Sequence, residues 1–393
     1  MSAPEIRFPE FKAPWRPTVA GAAFKHSRAR GQAGLPIYSV TLDRGMVRRD
    51  SLDRHMESDA ADGQNLRAQP GDIVYNMMRM WQGAVGVAPE ECMVSPAYVV
   101  LRPTKETNPQ FFNYWFQTSR MLHKLGAYSH GLTKDRLRLY PDDFAKIPLH
   151  LPTRAEQDRI AAFFEDIDAK VTALRDTADG LRQFKTGLMQ RLFSQELRFT
   201  REDGSDYPDW EDGRLADVAQ IFGGGTPDSN VPEYWNGDIP WFTPTEIKTK
   251  YLQNSVRRIS DLGLKNSSAK MLPPGSLILS TRATVGEVGI SSRPCSTNQG
   301  FQSLVVHDGQ YNEFWYYWIR AHKHKFLRNA AGSTFLEIGK SEVQKLDVSM
   351  PCFDEQRKIA DALSALDAKI GAVTDQITHM ETFKKGLLQK MFV

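Results

Sequence analysis

The sequence predicts an α+β protein. Two mixed α/β globular regions are joined by two long helices, which pair as an antiparallel coiled coil in a pseudo-two-fold internal repeat. Three observations predict this. "EQDRIAAFFEDIDAKV" from Glu156 returns as "EQRKIADALSALDAKI" from Glu355, 199 residues later. Apolar residues in both copies recur every three or four positions. The stretches before each copy read as short strands and turns. A repeat at a fixed offset marks a duplicated architecture, in which one structural unit occurs twice.

The helices come first. In the first copy the apolar positions are Ile160, Phe164, Ile167, Val171, Leu174, Leu181 and Leu188. In the second they are Ile359, Leu363, Leu366, Ile370, Val373, Ile377, Met380 and Leu387. Steps of four and three mark a coiled-coil seam. In both copies one seam position is a lysine, Lys185 or Lys384, preceded by Phe184 or Phe383, and there the seam should rotate or open. Pro152 and Pro351 precede the segments and suit helix starts. About 40 residues of helix extend roughly 60 Å. A globular region lies between the segments, so they can pair antiparallel.

The repeat extends beyond the helices. "EIRF" (5–8) answers "ELRF" (196–199), "PEF" (9–11) answers "PDW" (208–210) at the helix offset, and "YWF" (114–116) answers "YWI" (317–319). The division is therefore 1–150 globular, 151–198 helical, 199–349 globular and 350–393 helical. "GLPIYSVTL" (34–42), "GDIVYNMM" (71–78), "AYVVLRP" (97–103), "GSLILST" (275–281) and "FQSLVV" (301–306) read as strands. The aromatic, basic-ended stretches 108–125 and 312–330 read as one helix each.

Composition sets limits. The 393 residues are 41% hydrophobic and 25% charged, enough for sizeable cores. No apolar run reaches the roughly 18 residues of a membrane span, and the N-terminus shows no signal-peptide core. A cytoplasmic protein is expected. Cys92, Cys295 and Cys352 lie far apart, without metal or disulfide spacing. Residues 1–150 carry 20 basic against 15 acidic side chains, and 218–349 carry 14 against 11. Two mildly basic bodies between neutral helices suit nucleic acid, and suit an ordinary solvated surface equally.

Several motif fragments invite a catalytic reading. "FGGGT" (222–226), "NPQF" (108–111) and "GKS" (339–341) each miss a defining residue of a methylase or phosphate-binding motif. Pro227-Asp228 with Glu246-x-Lys248 satisfies the carboxylate-lysine pattern of Mg²⁺ nucleases. Asp228, however, sits in a turn sequence, where capping is the commoner role. No catalytic, cofactor-binding or metal site is assigned.

"LPTRAEQDRIAAFFEDIDAKV" with "FKTGLMQRLF", and "MPCFDEQRKIADALSALDAKI" with "FKKGLLQKMF", resemble the specificity (S) subunits of type I restriction–modification systems, the HsdS family. "IFGGGTPDSNVPEYWNGDIPWFTPTEI" (221–247) and "SLILSTRATVGEVGISSRPCSTNQGFQSL" (276–304) resemble parts of a target recognition domain. The first globular region lacks that run.

The resemblance implies that each globular region is a target recognition domain reading one half of a bipartite, asymmetric double-stranded DNA target. It implies that the helices act as spacers on which two methyltransferase (M) subunits dock, with restriction (R) subunits joining through them. The chain itself would be non-catalytic; S-adenosylmethionine, ATP and Mg²⁺ belong to the partner subunits. A stand-alone endonuclease or methylase, and a coiled-coil scaffold that binds no DNA, are the alternatives. Basic and hydroxyl side chains in loops are the expected DNA contacts. In the first domain these are Lys25, Arg28, Arg30, Arg48, Arg49, Lys134 and Arg136. In the second they are Thr226, Lys248, Lys250, Arg282, Lys323, Lys325, Ser333 and Thr334.

Overall fold

The computed structural model describes residues 4–52, 62–332 and 336–393. The chain forms two compact units, and each takes half of both long helices. One contains residues up to Asp176 together with Thr374–Val393; the other is Thr177–Val373. The long helices are Arg154–Phe193 and Phe353–Met391, of 40 and 39 residues.

In the first unit, four antiparallel strands lie in the order Phe24–Ser27, Tyr98–Pro103, Ile73–Asn76, Val85–Val87. A second sheet orders Gly45–Arg48, Ile37–Thr41, Cys92–Val94 and Leu66–Ala68, and its two central strands run parallel. The second unit repeats this plan. Ala219–Gly223, Gln302–Val306, Leu277–Leu279 and Val288–Ser291 follow the same order, with Tyr251–Leu252 added at the edge. Arg257–Ile259, Trp235–Phe242 and Ser296–Thr297 form its second sheet, again with one parallel pair. Topology is thus repeated even where the first region lacks the recognisable sequence run of the second.

The stretches 108–125 and 312–330, read as single helices, are each two. Pro109–Trp115 ends before Thr118, whose hydroxyl accepts from Met121 N and starts Ser119–Ala127. Asn312–Ala321 ends at His322, whose backbone N–H and ring Nδ1 both turn to the Trp318 carbonyl before Lys323–Arg328 begins. In each case capping side chains near the break satisfy backbone groups that a continuous helix would use.

The seam residues enter two cores. In the first unit Ile160, Phe164, Ile167 and Val171 from the start of the first helix join Leu388, Met391 and Phe392 from the end of the second. Ile377, Met380 and Leu387 pack against that cluster. In the second unit Ile359, Ala360 and Leu363 join Leu192, with Leu188 beside them. Start meets end in both units, so the helices run antiparallel. Leu174, Leu181, Leu366, Ile370 and Val373 are half-buried. Among the described residues no helix is long and apolar enough to cross a membrane.

Candidate nucleic-acid interface and the helix latches

The polar residues of the repeated phrase face inward. Glu156 and Glu355 are buried at the first turn of each long helix. Glu156 accepts two hydrogen bonds from Arg7, both 2.7 Å, and one from Trp15 Nε1 at 3.2 Å. Glu355 accepts from Arg198 at 3.2 and 2.8 Å and from Trp210 Nε1 at 3.1 Å. The hydrogen bond to the carboxylate raises the pKa of each arginine. A fork from Arg onto a carboxylate fixes orientation as well as charge. The sequence pairing of Phe11 with Trp210 is therefore corrected: Trp15 is the counterpart of Trp210. A four-residue slip in the intervening loop hid this.

The next residue completes the latch. Gln157 accepts from Asn108 N at 2.9 Å and donates to the Pro152 and Glu106 carbonyls. Gln356 accepts from Tyr311 N at 2.8 Å and donates to the Pro351 carbonyl and to Gln310 Oε1. Each Glu-Gln pair thus ties a globular region to its helix while leaving no buried polar atom of the pair unsatisfied.

A third contact lies further along. Tyr114 donates to Asp168 Oδ2 at 2.7 Å, and Lys384 reaches Asp168 Oδ1 at 2.5 Å. Tyr317 donates to Asp367 Oδ2 at 2.6 Å, and Lys185 reaches Asp367 Oδ1 at 2.5 Å. Each lysine also lies over the tyrosine ring, at 4.9 and 5.0 Å. Burial pulls the Lys185 ammonium below its ordinary pKa, and Asp367 resists that pull. The lysines that interrupt the seam are therefore cross-helix ion pairs.

The motif fragments have structural uses. Asp228 Oδ1 accepts from Asn230 N at 2.9 Å, a turn cap. Glu246 accepts from Thr243 N and Oγ1 and from Val256 N, so both its oxygens are committed to the local loop. Asn108 caps the helix that follows it. In "FGGG" a Cβ on Gly224 would lie 1.9 Å from the Asn298 carbonyl, so only glycine permits that approach. Among the described residues no three His, Cys, Asp or Glu side chains are grouped to hold a metal.

The expected DNA contacts separate into classes. In the first unit Lys25, Arg28 and Arg30 are exposed along and beyond the edge strand Phe24–Ser27. A concave surface gathers Arg28 and Arg30 with His26, Tyr98 and Tyr140, and among the described residues no carboxylate lines it. Burial, then the neighbouring Arg28, lowers the His26 pKa. Arg136 is exposed on a hairpin closed by the His130–Arg138 bridge, in the turn Lys134–Arg136. Arg48 lies 3.9 Å from Glu90. Arg49 is half-buried, and its Nε has no hydrogen-bond partner among the described residues.

In the second unit Lys248 is exposed, as is Thr226, which donates to Gln299. Arg282 and Lys323 are partly exposed in ion pairs with Glu337 and Glu287. Two of the lysines have partners within the fold. Lys250 is drawn inward by Glu313, Tyr317 and Ser364, at 2.7, 3.2 and 2.8 Å, and braces the globular region against its helix. Lys325 donates to the Asp347 carbonyl at 2.9 Å and lies over the Trp318 ring. Lys250 satisfies internal acceptors that its sequence position does not reveal, whereas the Lys325 bond lies at the exposed surface. Ser333 and Thr334 lie outside the described residues. His26, Tyr98 and Tyr140, which share the concave surface of Arg28 and Arg30, and Gln299, which accepts from Thr226, were not among the expected contacts.

Two like globular bodies, each latched to the long helices by the same side chains, define a duplicated α+β scaffold. Residues 20–179 and 207–381 match the type I restriction modification DNA specificity domain, and the chain belongs to that family. The MjaIX type I restriction enzyme specificity subunit of Methanocaldococcus jannaschii is 32% identical over 207 residues, 51% of this chain and 48% of that protein. This chain matches roughly half the length of such curated relatives. The HsdS subunit from Thermoanaerobacter tengcongensis superposes with a TM-score of 0.56 at 18% identity, over 100% of this chain and 99% of that one. A chain from a study of type I R-M complex assembly and conformational transition gives 0.62 at 19%, over 97% and 98%.

Proposed function

We propose that the chain is the non-catalytic DNA-reading subunit of a cytoplasmic type I restriction–modification complex. Each globular region reads one half of a bipartite, asymmetric duplex target. Two methyltransferase subunits dock on the helices, and restriction subunits join through them. S-adenosylmethionine, ATP and Mg²⁺ serve those partners. The observation that carries this reading is the repeat itself. One sheet plan and one latch occur twice, while the exposed loop residues differ between copies. A constant frame with variable surfaces suits two readers of different sequence.

The arginine-tyrosine surface of the first unit supports DNA as the ligand. Arg side chains fork onto guanine or meet phosphate, and tyrosine faces stack or pack against bases and sugars. A gel shift of the purified chain on its host's modified sequence, titrated with salt, tests the reading. Binding should fall steeply with salt and exceed binding to random duplex. Salt-independent or absent binding to every duplex would leave only a scaffold.

A further inference from the structure

Val256 ends the loop that leads into the strand Arg257–Ile259, and its side chain is 88% exposed. An exposed apolar residue on a slack loop needs no explanation. This loop is held. The Val256 N–H donates to Glu246 Oε1 at 2.6 Å. Ser255 Oγ accepts from Trp241 N at 2.9 Å and donates to the Arg257 carbonyl at 2.5 Å. Valine is also stiff about χ1. An apolar point is thus fixed in place where solvent surrounds it.

Arg257, next in the chain, is fixed by rings. Its guanidinium carbon lies 3.5 Å from the Trp235 ring centroid and 5.4 Å from that of Trp241. Trp235 is set in turn by an edge-to-face contact with Trp241 and by its Nε1, which donates to the Asp228 carbonyl at 3.1 Å. Arg257 is exposed, and among the described residues it forms no ion pair. A guanidinium laid on an indole keeps its N–H edge for an outside acceptor and has little rotamer freedom left to lose on binding. Residues 246–258 carry Lys248, Lys250, Arg257 and Arg258 against one carboxylate, Glu246. Charge therefore selects an anionic occupant.

Charge alone would suit a phosphate. A phosphate contact needs neither a rigid guanidinium nor an apolar neighbour. Base edges use both: guanine offers a planar pair of acceptors to a forked arginine, and thymine offers a methyl group to an apolar side chain. The first unit supplies a contrast. Val47, Arg48 and Arg49 repeat the tripeptide on the edge strand of its second sheet, but there Val47 is half-buried and Arg48 lies 3.9 Å from Glu90. The same three residues are presented differently in the two units, which suits two different half-sites.

We infer that Val256 and Arg257 are specificity-determining residues of the second globular region: Arg257 forks onto a guanine, and Val256 packs on a thymine methyl, in the half-site that this region reads. This rests on the proposed function and names base contacts within it.

The test uses the full chain with the methyltransferase subunit of its own system, and synthetic duplexes of the sequence found methylated in host DNA. Single thymines are replaced by deoxyuridine, which lacks only the methyl. Single guanines are replaced by 7-deazaguanine, which lacks only the N7 acceptor. Val256→Ala should weaken binding roughly fourfold. Deoxyuridine at one position should do the same, and the two together should cost no more than either. Arg257→Ala should weaken binding roughly tenfold to a hundredfold, and its loss should overlap with that of 7-deazaguanine at one position. Arg257→Lys keeps the charge and loses the fork, so it should relax that same position with the salt slope unchanged. Thermal unfolding should stay close to that of the unaltered chain, because both side chains are exposed. If the unaltered complex binds its methylated sequence no better than random duplex, the functional reading fails and the assignment falls with it. If it binds specifically, but Val256→Ala adds to deoxyuridine at every position or Arg257→Lys binds as the unaltered chain does, the functional reading stands and the assignment is overturned. A half-site for this region without an A·T pair, or without a G·C pair, would also overturn it.

Discussion

Lys384 of the second long helix meets Asp168 of the first at 2.5 Å, and Tyr114 of the globular region donates to the same carboxylate. Lys185, Asp367 and Tyr317 repeat the arrangement in the other unit. Helix, partner helix and globular region thus meet on one carboxylate in each unit. Removing Asp168 would strand Lys384, which is only 19% exposed. Asp168→Ala should therefore cost about 1–3 kcal/mol, more than Tyr114→Phe at about 1 kcal/mol. A double-mutant cycle in urea should show coupling within each trio and near-additivity between Asp168 and Asp367. Equal, uncoupled effects would mean that the trios are ordinary surface pairs.

Glu156 and Glu355 are the stronger supports. Each is a buried carboxylate holding a forked arginine and an indole N–H. Glu156→Ala or Glu355→Ala should destabilise its own unit by about 3–5 kcal/mol, because the arginine is left uncompensated. Arg7→Ala should cost as much from the other side. Thermal unfolding of each variant measures this; losses below about 1 kcal/mol would place the latch elsewhere.

The second unit should be acid-sensitive through His322. Its ring stacks on Trp318, and burial lowers its pKa to about 4. An imidazole with a depressed folded-state pKa binds its proton more readily when unfolded. Stability is then full above the ordinary histidine range and falls as the pH drops from about 6.5 towards 4. The loss is at most ~3 kcal/mol. His322→Gln should flatten the stability profile across that window. Glu313 acts lower: burial raises its pKa, but hydrogen bonds from Lys250, Tyr251 and Ser364 outweigh burial and hold it below the ordinary value. Its contribution is lost only as the pH falls through that lowered value, so Glu313→Gln should change the profile at its most acidic end.

DNA contacts should divide as the side chains do. Arg28→Ala and Arg30→Ala should each either lower the salt slope by about one or relax one target position at roughly 1–3 kcal/mol. Tyr140→Ala should weaken binding without changing the slope. Lys250→Met should leave the slope intact while lowering stability, because its ammonium is spent on Glu313 and Ser364. A slope change at Lys250 without a stability change would reverse its assignment.

The helices were legible because a 3.5-residue seam and a fixed offset are periodic signals, and tertiary packing preserved them. The globular region between the copies permitted antiparallel pairing, and the core contacts of each unit show it. The role of Glu-Gln was not legible. Polar residues at a helix start read as solvated until Arg7, Trp15, Arg198 and Trp210 are folded over them, and those partners sit 141 to 157 residues away in sequence. The partners of Lys250 were not legible for the same reason: Glu313 and Ser364 are brought to it only by the fold. Lys25, Arg28, Arg30 and Lys248 were legible as exposed bases because they lie in short polar segments with little apolar surface to bury.

Each globular region should choose one half of the target. Methylation-aware sequencing of host DNA measures it directly, using a chain whose residues 199–349 are replaced by those of another family member. The methylated sequence should change in one half-site, with the other half-site intact. Changes in both halves, or a methylated sequence identical to the original, would contradict the account.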